Sequence, residues 1–155
     1  MIYENDNYII KYSKNKKEEI KNMLTVAIHF KGNCNEAIKF YKETLGAKVK
    51  EIALFKDAPD KSFVDVPLPD DFVMHSNIEI FGATFSLTDG ADKEPNTGSY
   101  SFMITLDSDE EVNKLYDKLV TGGKVIEPLG EVFWSSMYAM IEDKFGVTWQ
   151  IMTKV

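Results

Sequence analysis

The sequence predicts an α+β fold in which two tandem β-α-β-β-β modules form curved sheets around a cleft. The first observation behind this prediction is the order of patterns. In each half of the chain, a short alternating segment is followed by an amphipathic helical segment and three further strand-like segments. The second observation is register, because the alternating segments that start at Val26 and Phe102 lie 76 residues apart, and Tyr41 and Tyr116 lie 75 apart. Such a repeat indicates a duplicated supersecondary unit.

Composition and charge are those of an ordinary globular domain. Of the 155 residues, 44% are hydrophobic and 28% are charged. The net charge of −7 disfavours binding to nucleic acid or to an anionic membrane, and no apolar run approaches the ~20 residues of a membrane-spanning helix. The one cysteine, Cys34, excludes a disulfide framework and fits a reducing compartment. We therefore expect a cytoplasmic protein that binds neither nucleic acid nor membrane.

The N-terminal extension, residues 1–22, differs from the rest of the chain. It is rich in Lys, Glu and Asn, and the patterned sequence begins only at Met23. Two interpretations stay open: a poorly ordered extension or upstream start codon, and an arm that docks on a partner subunit. One domain is expected over residues 23–155, with the first module in 23–90 and the second in 99–155.

The first strand of each module predicts which side chains face the cleft. In residues 24–30, apolar side chains alternate with small or polar ones, so the two sets lie on opposite faces of a sheet. The apolar set is expected to pack under the helices; it comprises Val26, Ile28 and Phe30, with Phe102, Ile104 and Leu106 in the second module. The other set is expected to face the cleft; it comprises Thr25, Ala27 and His29, with Ser101, Met103 and Thr105 in the second module.

A helix and three strands complete each module. Asn33 or Asn35 is the candidate N-cap of the first helix and Gly46 its terminator, while Ser108 or Asp109 begins the second helix. A Pro-rich loop, residues 56–71, lengthens the first module. The other strands are predicted at 47–55, 72–80 and 83–88, with a turn at Phe81-Gly82, and at 124–134, 136–143 and 147–154. Glu142 and Asp143, before the last strand, are expected in a solvated turn.

Five strings carry a resemblance to a known family. They are FKGNCNEAIKFYKETLGAKV from Phe30, VMHSNIEIFG from Val73, SLTDG from Ser86, GGKVIEPLGEVFW from Gly122 and DKFGVTWQI from Asp143. They are similar to the vicinal oxygen chelate superfamily, which includes glyoxalase I, extradiol dioxygenases and bleomycin-resistance proteins, and within it to the PhnB-like branch. The resemblance implies the glyoxalase/bleomycin-resistance fold and a homodimer. Members of this branch often carry a name that implies a demethylubiquinone methyltransferase, but the chain has no Gly-rich strand-turn-helix nucleotide motif.

The resemblance also implies four places for the ligands of a divalent metal ion. In the superfamily these ligands are typically His, Glu or Gln, and the ion polarises vicinal oxygens of a substrate or binds O₂. In this chain the places fall near Thr25, Ser86, Ser101 and Gln150. Neutral hydroxyls are poor ligands for zinc, nickel or iron, and one amide does not hold such an ion. The sequence therefore predicts no cofactor and disfavours a divalent metal.

Two histidines offer chemistry that needs no metal. His75 shares a strand face with Asn77 and Glu79, and it is either a hydrogen-bonded structural residue or a catalytic general base, since imidazole titrates near neutral pH. His29, at the end of the first strand, is expected to be structural.

An aromatic group and the cysteine complete the candidates. Phe133, Trp134 and Tyr138 lie close together in the second module, and one or two of them can line the cleft. Cys34 stands at the first helix N-terminus and is expected to be a buried or capping thiol.

Three functions follow from these residues. The first is a small-molecule-binding protein with polar contacts from Thr25, Ser86, Ser101 and Gln150 and apolar walls from Trp134 and Tyr138. The second is a lyase, isomerase or dioxygenase-type enzyme of the same superfamily, using His75 or a metal. The third is a dimeric domain whose cleft is filled by its own side chains.

Overall fold

The computed structural model describes residues 24–62 and 64–155, so the predicted extension at residues 1–22 lies outside the described residues. The order of elements is β-α-β-β-β in each half, as the sequence predicts. The first module comprises β1 (Val26–Phe30), α1 (Cys34–Leu45), β2 (Lys48–Leu54), a short 3-10 turn (Phe55–Asp57), β3 (Val73–Ile80) and β4 (Ala83–Asp89). The second comprises β5 (Phe102–Leu106), α2 (Asp109–Leu119), β6 (Lys124–Val132), β7 (Ser135–Glu142) and β8 (Thr148–Thr153).

Each module forms one four-stranded mixed sheet. The strand orders are β1-β4-β3-β2 and β5-β8-β7-β6. β1 runs parallel to β4 and β5 parallel to β8, whereas the other pairs are antiparallel. The predicted fold class is therefore confirmed, and the same topology in both sheets agrees with the internal repeat. Neither helix in the described part of the chain has the length and apolar character needed to cross a bilayer.

The hydrophobic core lies on the helix-covered face of both sheets. Ile28 and Phe30 are buried there, and Ile104 occupies the matching place in the second module. Val26 is 38% exposed because it starts β1, an edge strand. On the opposite face, Met103 is 58% exposed. The predicted division of the two strand faces is thus correct, and one face of each sheet stays open.

The two helices begin differently. Ser108 caps α2: its Oγ accepts a hydrogen bond from the Glu111 N–H at 3.3 Å and donates one to the Glu111 carboxylate at 3.1 Å. Asn33 stands at the N-cap position of α1, but its side chain does not cap. The carboxylate of Asp89 instead accepts from the Cys34 N–H at 2.9 Å. A residue at the end of β4 thereby replaces the local cap.

Cys34 is buried, as predicted. Burial, together with the nearby Asp89 carboxylate, raises the pKa of its thiol. A thiol that stays protonated is a poor nucleophile, so Cys34 serves packing.

The expectation of a solvated turn at Asp143 is wrong. Asp143 is 3% exposed, and its carboxylate accepts hydrogen bonds from the Tyr41 hydroxyl at 2.9 Å, the Trp149 indole N–H at 2.8 Å and the backbone N–H groups of Phe145 and Val147. Burial raises the pKa of Asp143, and these four donors oppose the rise. The reason is tertiary: α1 of the first module packs on this turn and supplies Tyr41.

Candidate functional site

The open faces of the two sheets carry the candidate residues. Strand pairing and alternation define them. We call the open face of the first sheet the polar face; it includes Ala27, His29, Glu51, His75, Asn77, Ser86 and Thr88. We call the open face of the second sheet the methionine–aromatic face; it includes Ser101, Met103, Trp134, Tyr138, Met140 and Gln150.

A hydrogen-bonded chain crosses the methionine–aromatic face. The Tyr138 hydroxyl on β7 donates to Gln150 Oε1 on β8 at 2.9 Å. Gln150 Nε2 in turn donates to Ser101 Oγ, directly before β5, at 2.5 Å. Gln150 is flanked in register by Met103 and Met140. Three residues selected from the sequence therefore form one contiguous network beside two methionines on this face.

Aromatic rings extend this surface beyond the sheet. The Trp134 and Tyr138 ring centroids are 5.5 Å apart at an interplanar angle of 75°, and Phe133 packs edge-on against Trp134 at 4.5 Å. Trp134 is 42% exposed, whereas Tyr138 is buried. Trp134 is thus partly accessible to a ligand while it packs on the buried Tyr138 ring.

Tyr138 remains protonated and is the donor at the start of this hydrogen-bonded chain. Burial, with the nearby negative charge of Glu127, raises the pKa of Tyr138 above its ordinary value. The hydroxyl therefore keeps its proton at neutral pH and remains a donor to Gln150.

The polar face contains a second cluster, around His75. His75 Nε2 lies 3.6 Å from the Glu51 carboxylate and 3.3 Å from Asn77 Nδ2, and Asn77 Nδ2 also donates to Glu51 at 3.2 Å. About half of the His75 side chain is exposed. The three side chains therefore form one cluster on the open face, and its half-exposed imidazole is a candidate general base.

Glu51 is a site residue that sequence reasoning missed. Continuous pairing from Lys48 opposite Glu79 would set Glu51 opposite Ser76, whose side chain is buried. A β-bulge at Lys50 shifts the register so that Glu51 pairs with Asn77 and faces the open side. Alternation alone cannot reveal a bulge, so no signal in the sequence placed Glu51 beside His75.

His29 also lies on the polar face, where it pairs in register with Thr88. His29 Nδ1 is 2.8 Å from Thr88 Oγ1 across the parallel pair β1 and β4. This contact accounts for one ring nitrogen and agrees with a structural role. Ser86 sits in the next row, between Ala27 and Asn77.

The predicted site residues thus separate into two groups. Ser101, Trp134, Tyr138 and Gln150 lie together on the second sheet. Thr25, Ser86 and His75 belong to the first sheet or its margin. Within residues 24–62 and 64–155, no hydrogen bond or ring contact joins the two groups.

The four places implied for a metal do not fit one. Ser101 and Gln150 bond to each other, and Thr25 and Ser86 supply only hydroxyls, so the set has no anionic or imidazole donor. Across the described ranges, no group of three or more His, Cys, Asp and Glu side chains is placed to share an ion.

A groove of about 430 Å³ lies away from both open faces. The turn at residues 142–146 and the Gly122-Gly123 turn line it, with the charged side chains of Glu94, Lys124 and Lys144 at its rim. None of the residues selected from the sequence as site residues lines this groove.

Comparison with known proteins agrees with this architecture. Residues 22–152 match the family model described as 3-demethylubiquinone-9 3-methyltransferase. Protein YjdN of Escherichia coli is 34% identical over 139 residues, which are 83% of this chain and 92% of that protein.

Two solved structures share the fold. A putative 3-demethylubiquinone-9 3-methyltransferase, the PhnB protein from Bacillus cereus, has a TM-score of 0.73 at 23% identity, covering 86% of this chain and 100% of that one. The fosfomycin resistance protein FosX from Listeria monocytogenes has a TM-score of 0.62 at 14% identity, covering 88% and 95%. A mutant of that protein was solved with Mn(II) and 1S,2S-dihydroxypropylphosphonic acid.

Proposed function

The chain belongs to the PhnB-like family described as 3-demethylubiquinone-9 3-methyltransferase, within the vicinal oxygen chelate superfamily, and on this premise we propose that it is a small-molecule-binding protein without the superfamily's usual metal site. The family fixes the fold, whereas function has to be argued from side chains. The residues that bind the small molecule are those of the methionine–aromatic face, with polar contacts from the opposite module.

One observation carries this proposal. Two of the four implied metal places, Ser101 and Gln150, form a neutral hydrogen-bonded chain with Tyr138 beneath a half-exposed tryptophan. A few polar groups set in an apolar and aromatic surface are characteristic of ligand sites. The FosX complex contains a metal ion, but the likeness to FosX extends only to the fold. Methyl transfer, which the family description names, has no support from a nucleotide-binding motif in this chain.

A homodimer is the second part of the proposal. Within residues 24–62 and 64–155, β1 and β5 each pair with a single strand, so each leaves a free edge, and the sheet faces beside them are open. Free edges and exposed apolar side chains such as Met103 are normally covered. A second copy would cover them and would bring a polar face opposite a methionine–aromatic face.

An enzyme is the alternative that a specific observation favours. The His75–Asn77–Glu51 cluster provides a half-exposed imidazole beside a carboxylate. Such a pair can take a proton from a carbon acid and return it, as an isomerase or lyase requires. On this reading, His75→Ala abolishes turnover while ligand affinity changes little.

A thermal-shift screen tests the binding proposal. A ligand at ~100 times its dissociation constant adds about 2.7 kcal/mol to the unfolding free energy. We expect flat aromatic compounds to raise the melting temperature of the wild type but not of Gln150→Ala, whose network is broken. Lys118→Ala, on the exposed surface of α2, is the control. If a broad library gives no stabilisation, the cleft is filled by its own side chains and the binding proposal is wrong.

Metal analysis of protein purified without a histidine tag tests the proposed absence of the superfamily's usual metal site. We expect less than stoichiometric zinc, nickel and iron. A stoichiometric ion that is lost in a Ser101→Ala, Gln150→Ala double variant would overturn the proposal.

A further inference from the structure

The hydrogen-bonded chain on the methionine–aromatic face has a direction. It starts at the Tyr138 hydroxyl, passes through the Gln150 amide and ends at Ser101 Oγ, which accepts from Gln150 Nε2. A serine hydroxyl carries one donor in addition to its lone pairs. Among the described residues, the Ser101 hydroxyl donates to no partner, and neither does the second N–H of Gln150. The chain therefore ends in unused donors.

These donors stand beside apolar and aromatic side chains. Ser101 and Gln150 are half-buried, and their neighbour Met103 is 58% exposed with Trp134 42% exposed at the other end of the face. Covering this face with an apolar ligand would strip water from the donors, at a cost of about 1–3 kcal/mol for each group left without a partner. A ligand that supplies an acceptor atom at the Ser101 end avoids this cost.

The charge of the face sets the charge of the ligand. Glu127 pairs in register with Met140, next to Gln150, and its carboxylate is close enough to act on Tyr138. A carboxylate or phosphate on the ligand would be repelled by Glu127 and by the protein's net charge of −7. A neutral acceptor oxygen is not repelled.

From these three observations we infer that the face binds a flat, neutral ligand whose ring packs on Trp134 and Met103 and whose carbonyl or similar oxygen accepts from Ser101. The inference rests on the proposed binding function and names the class of ligand. The hydrogen-bond donors at Ser101 and Gln150 give the selectivity for a ligand with an acceptor oxygen, because Trp134 and Met103 alone would accept any apolar ring.

Equilibrium dialysis with three naphthalene probes tests the inference. The probes are 2-acetylnaphthalene, which carries an acceptor oxygen, 2-ethylnaphthalene, which lacks it, and 2-naphthoate, which is anionic. We expect the acetyl probe to bind about three- to tenfold more tightly than the ethyl probe, the range given by one net hydrogen bond. The naphthoate should bind most weakly.

Variants separate the chain of donors from the apolar surface. Ser101→Ala should abolish the preference for the acetyl probe, because no hydroxyl remains to donate to its oxygen, and Trp134→Ala should weaken both. Ser99→Ala, at an exposed serine on the same loop, should behave as the wild type.

The outcomes distinguish the inference from the function on which it rests. Equal binding of the acetyl and ethyl probes, a preference that survives Ser101→Ala, or tighter binding of naphthoate overturns the inference and leaves a binding protein of another selectivity. Binding of none of the probes, with a folded protein by circular dichroism, overturns both.

Discussion

At the scale of single residues, Asp143 joins the two modules. Its carboxylate belongs to the turn before β8, yet one of its donors, the Tyr41 hydroxyl, comes from α1 of the first module. A buried carboxylate with one donor removed keeps its desolvation cost and loses part of its compensation. The contact therefore contributes more than a surface hydrogen bond would.

We predict that Tyr41→Phe lowers the free energy of unfolding by about 1.5–3 kcal/mol, the range for a hydrogen bond to a charged group. Denaturant unfolding measures the loss. Tyr116→Phe is the control, because Tyr116 is the repeat equivalent of Tyr41 and its hydroxyl makes no hydrogen bond with the described residues. Equal losses in the two variants would show that the Asp143 contact contributes nothing specific.

Asp109 provides a prediction about pH. Hydrogen bonds from Ser136 at 2.6 Å and Thr153 at 2.5 Å lower the pKa of Asp109. A carboxylate whose pKa is lower in the folded than in the unfolded state stabilises the fold above the unfolded pKa, about 3.9, and that contribution disappears as the pH falls through the folded pKa. Asp109→Asn should therefore melt at a lower temperature than the wild type at pH 7, and the difference should begin to shrink near pH 4 and vanish only once the pH is below the folded pKa.

Asp117→Asn serves as the control for this pH dependence. Asp117 is exposed on the same helix, and its carboxylate makes no hydrogen bond with the described residues. Its melting temperature should follow that of the wild type at every pH. A difference at Asp109 that keeps its pH 7 size as the pH falls well below 4 would contradict the assignment of the effect to charge.

At the scale of elements, the β3–β4 turn contains a residue that is poorly suited to its backbone conformation. Phe81 and Gly82 both have positive φ, 47° and 82°, and the Phe81 side chain is 59% exposed. A phenylalanine in the left-handed region is strained, whereas Asn-Gly is the preferred pair for a two-residue hairpin of this kind.

Phe81→Asn should therefore stabilise the protein by about 0.5–1 kcal/mol and raise the melting temperature by roughly 1–4 °C. Differential scanning calorimetry measures the change. Gly82→Ala, which introduces a side chain at positive φ in the same turn, should have the opposite sign. A Phe81→Asn variant that melts below the wild type would indicate that the exposed ring makes a contact that the single chain lacks.

The elements themselves could be predicted from the sequence, because each depends on local patterns. Alternation identified the strands, and Gly46 with φ 65° ended α1 as expected. Register could not be predicted where a strand is irregular: the bulge at Lys50 decides that Glu51 reaches His75. The burial of Asp143 was missed for a related reason, since it depends on a helix about 100 residues away in sequence. Tertiary contacts of this kind leave no periodic signal.

At the scale of the whole molecule, the repeat predicts two alike halves, but their open faces differ. The first presents histidines, Asn77 and Glu51, and the second presents methionines and rings. The sequence predicted which residues share a strand face but not which faces meet. The contacts that join the modules, such as Tyr41 with Trp149 and Phe85 with Phe102, lie on the covered side.

We predict that light scattering gives a mass twice that of one chain and that Met103→Glu lowers it towards the mass of one chain. Met103 lies on the edge strand β5, so a buried charge at this place would oppose association. Lys118→Glu, on the exposed surface of α2, should leave the mass unchanged. A wild-type protein that stays at the mass of one chain up to high concentration would contradict the homodimer.

The two tryptophans give this protein separate optical reporters for folding and for binding. Trp149 is 1% exposed and donates to a buried carboxylate, so its emission should lie at short wavelength and shift only when the core opens. Trp134 is 42% exposed, so its emission should lie at longer wavelength and should be quenched by acrylamide. Trp134→Phe would leave a pure unfolding signal, and Trp149→Phe would leave one that responds to whatever occupies the open face.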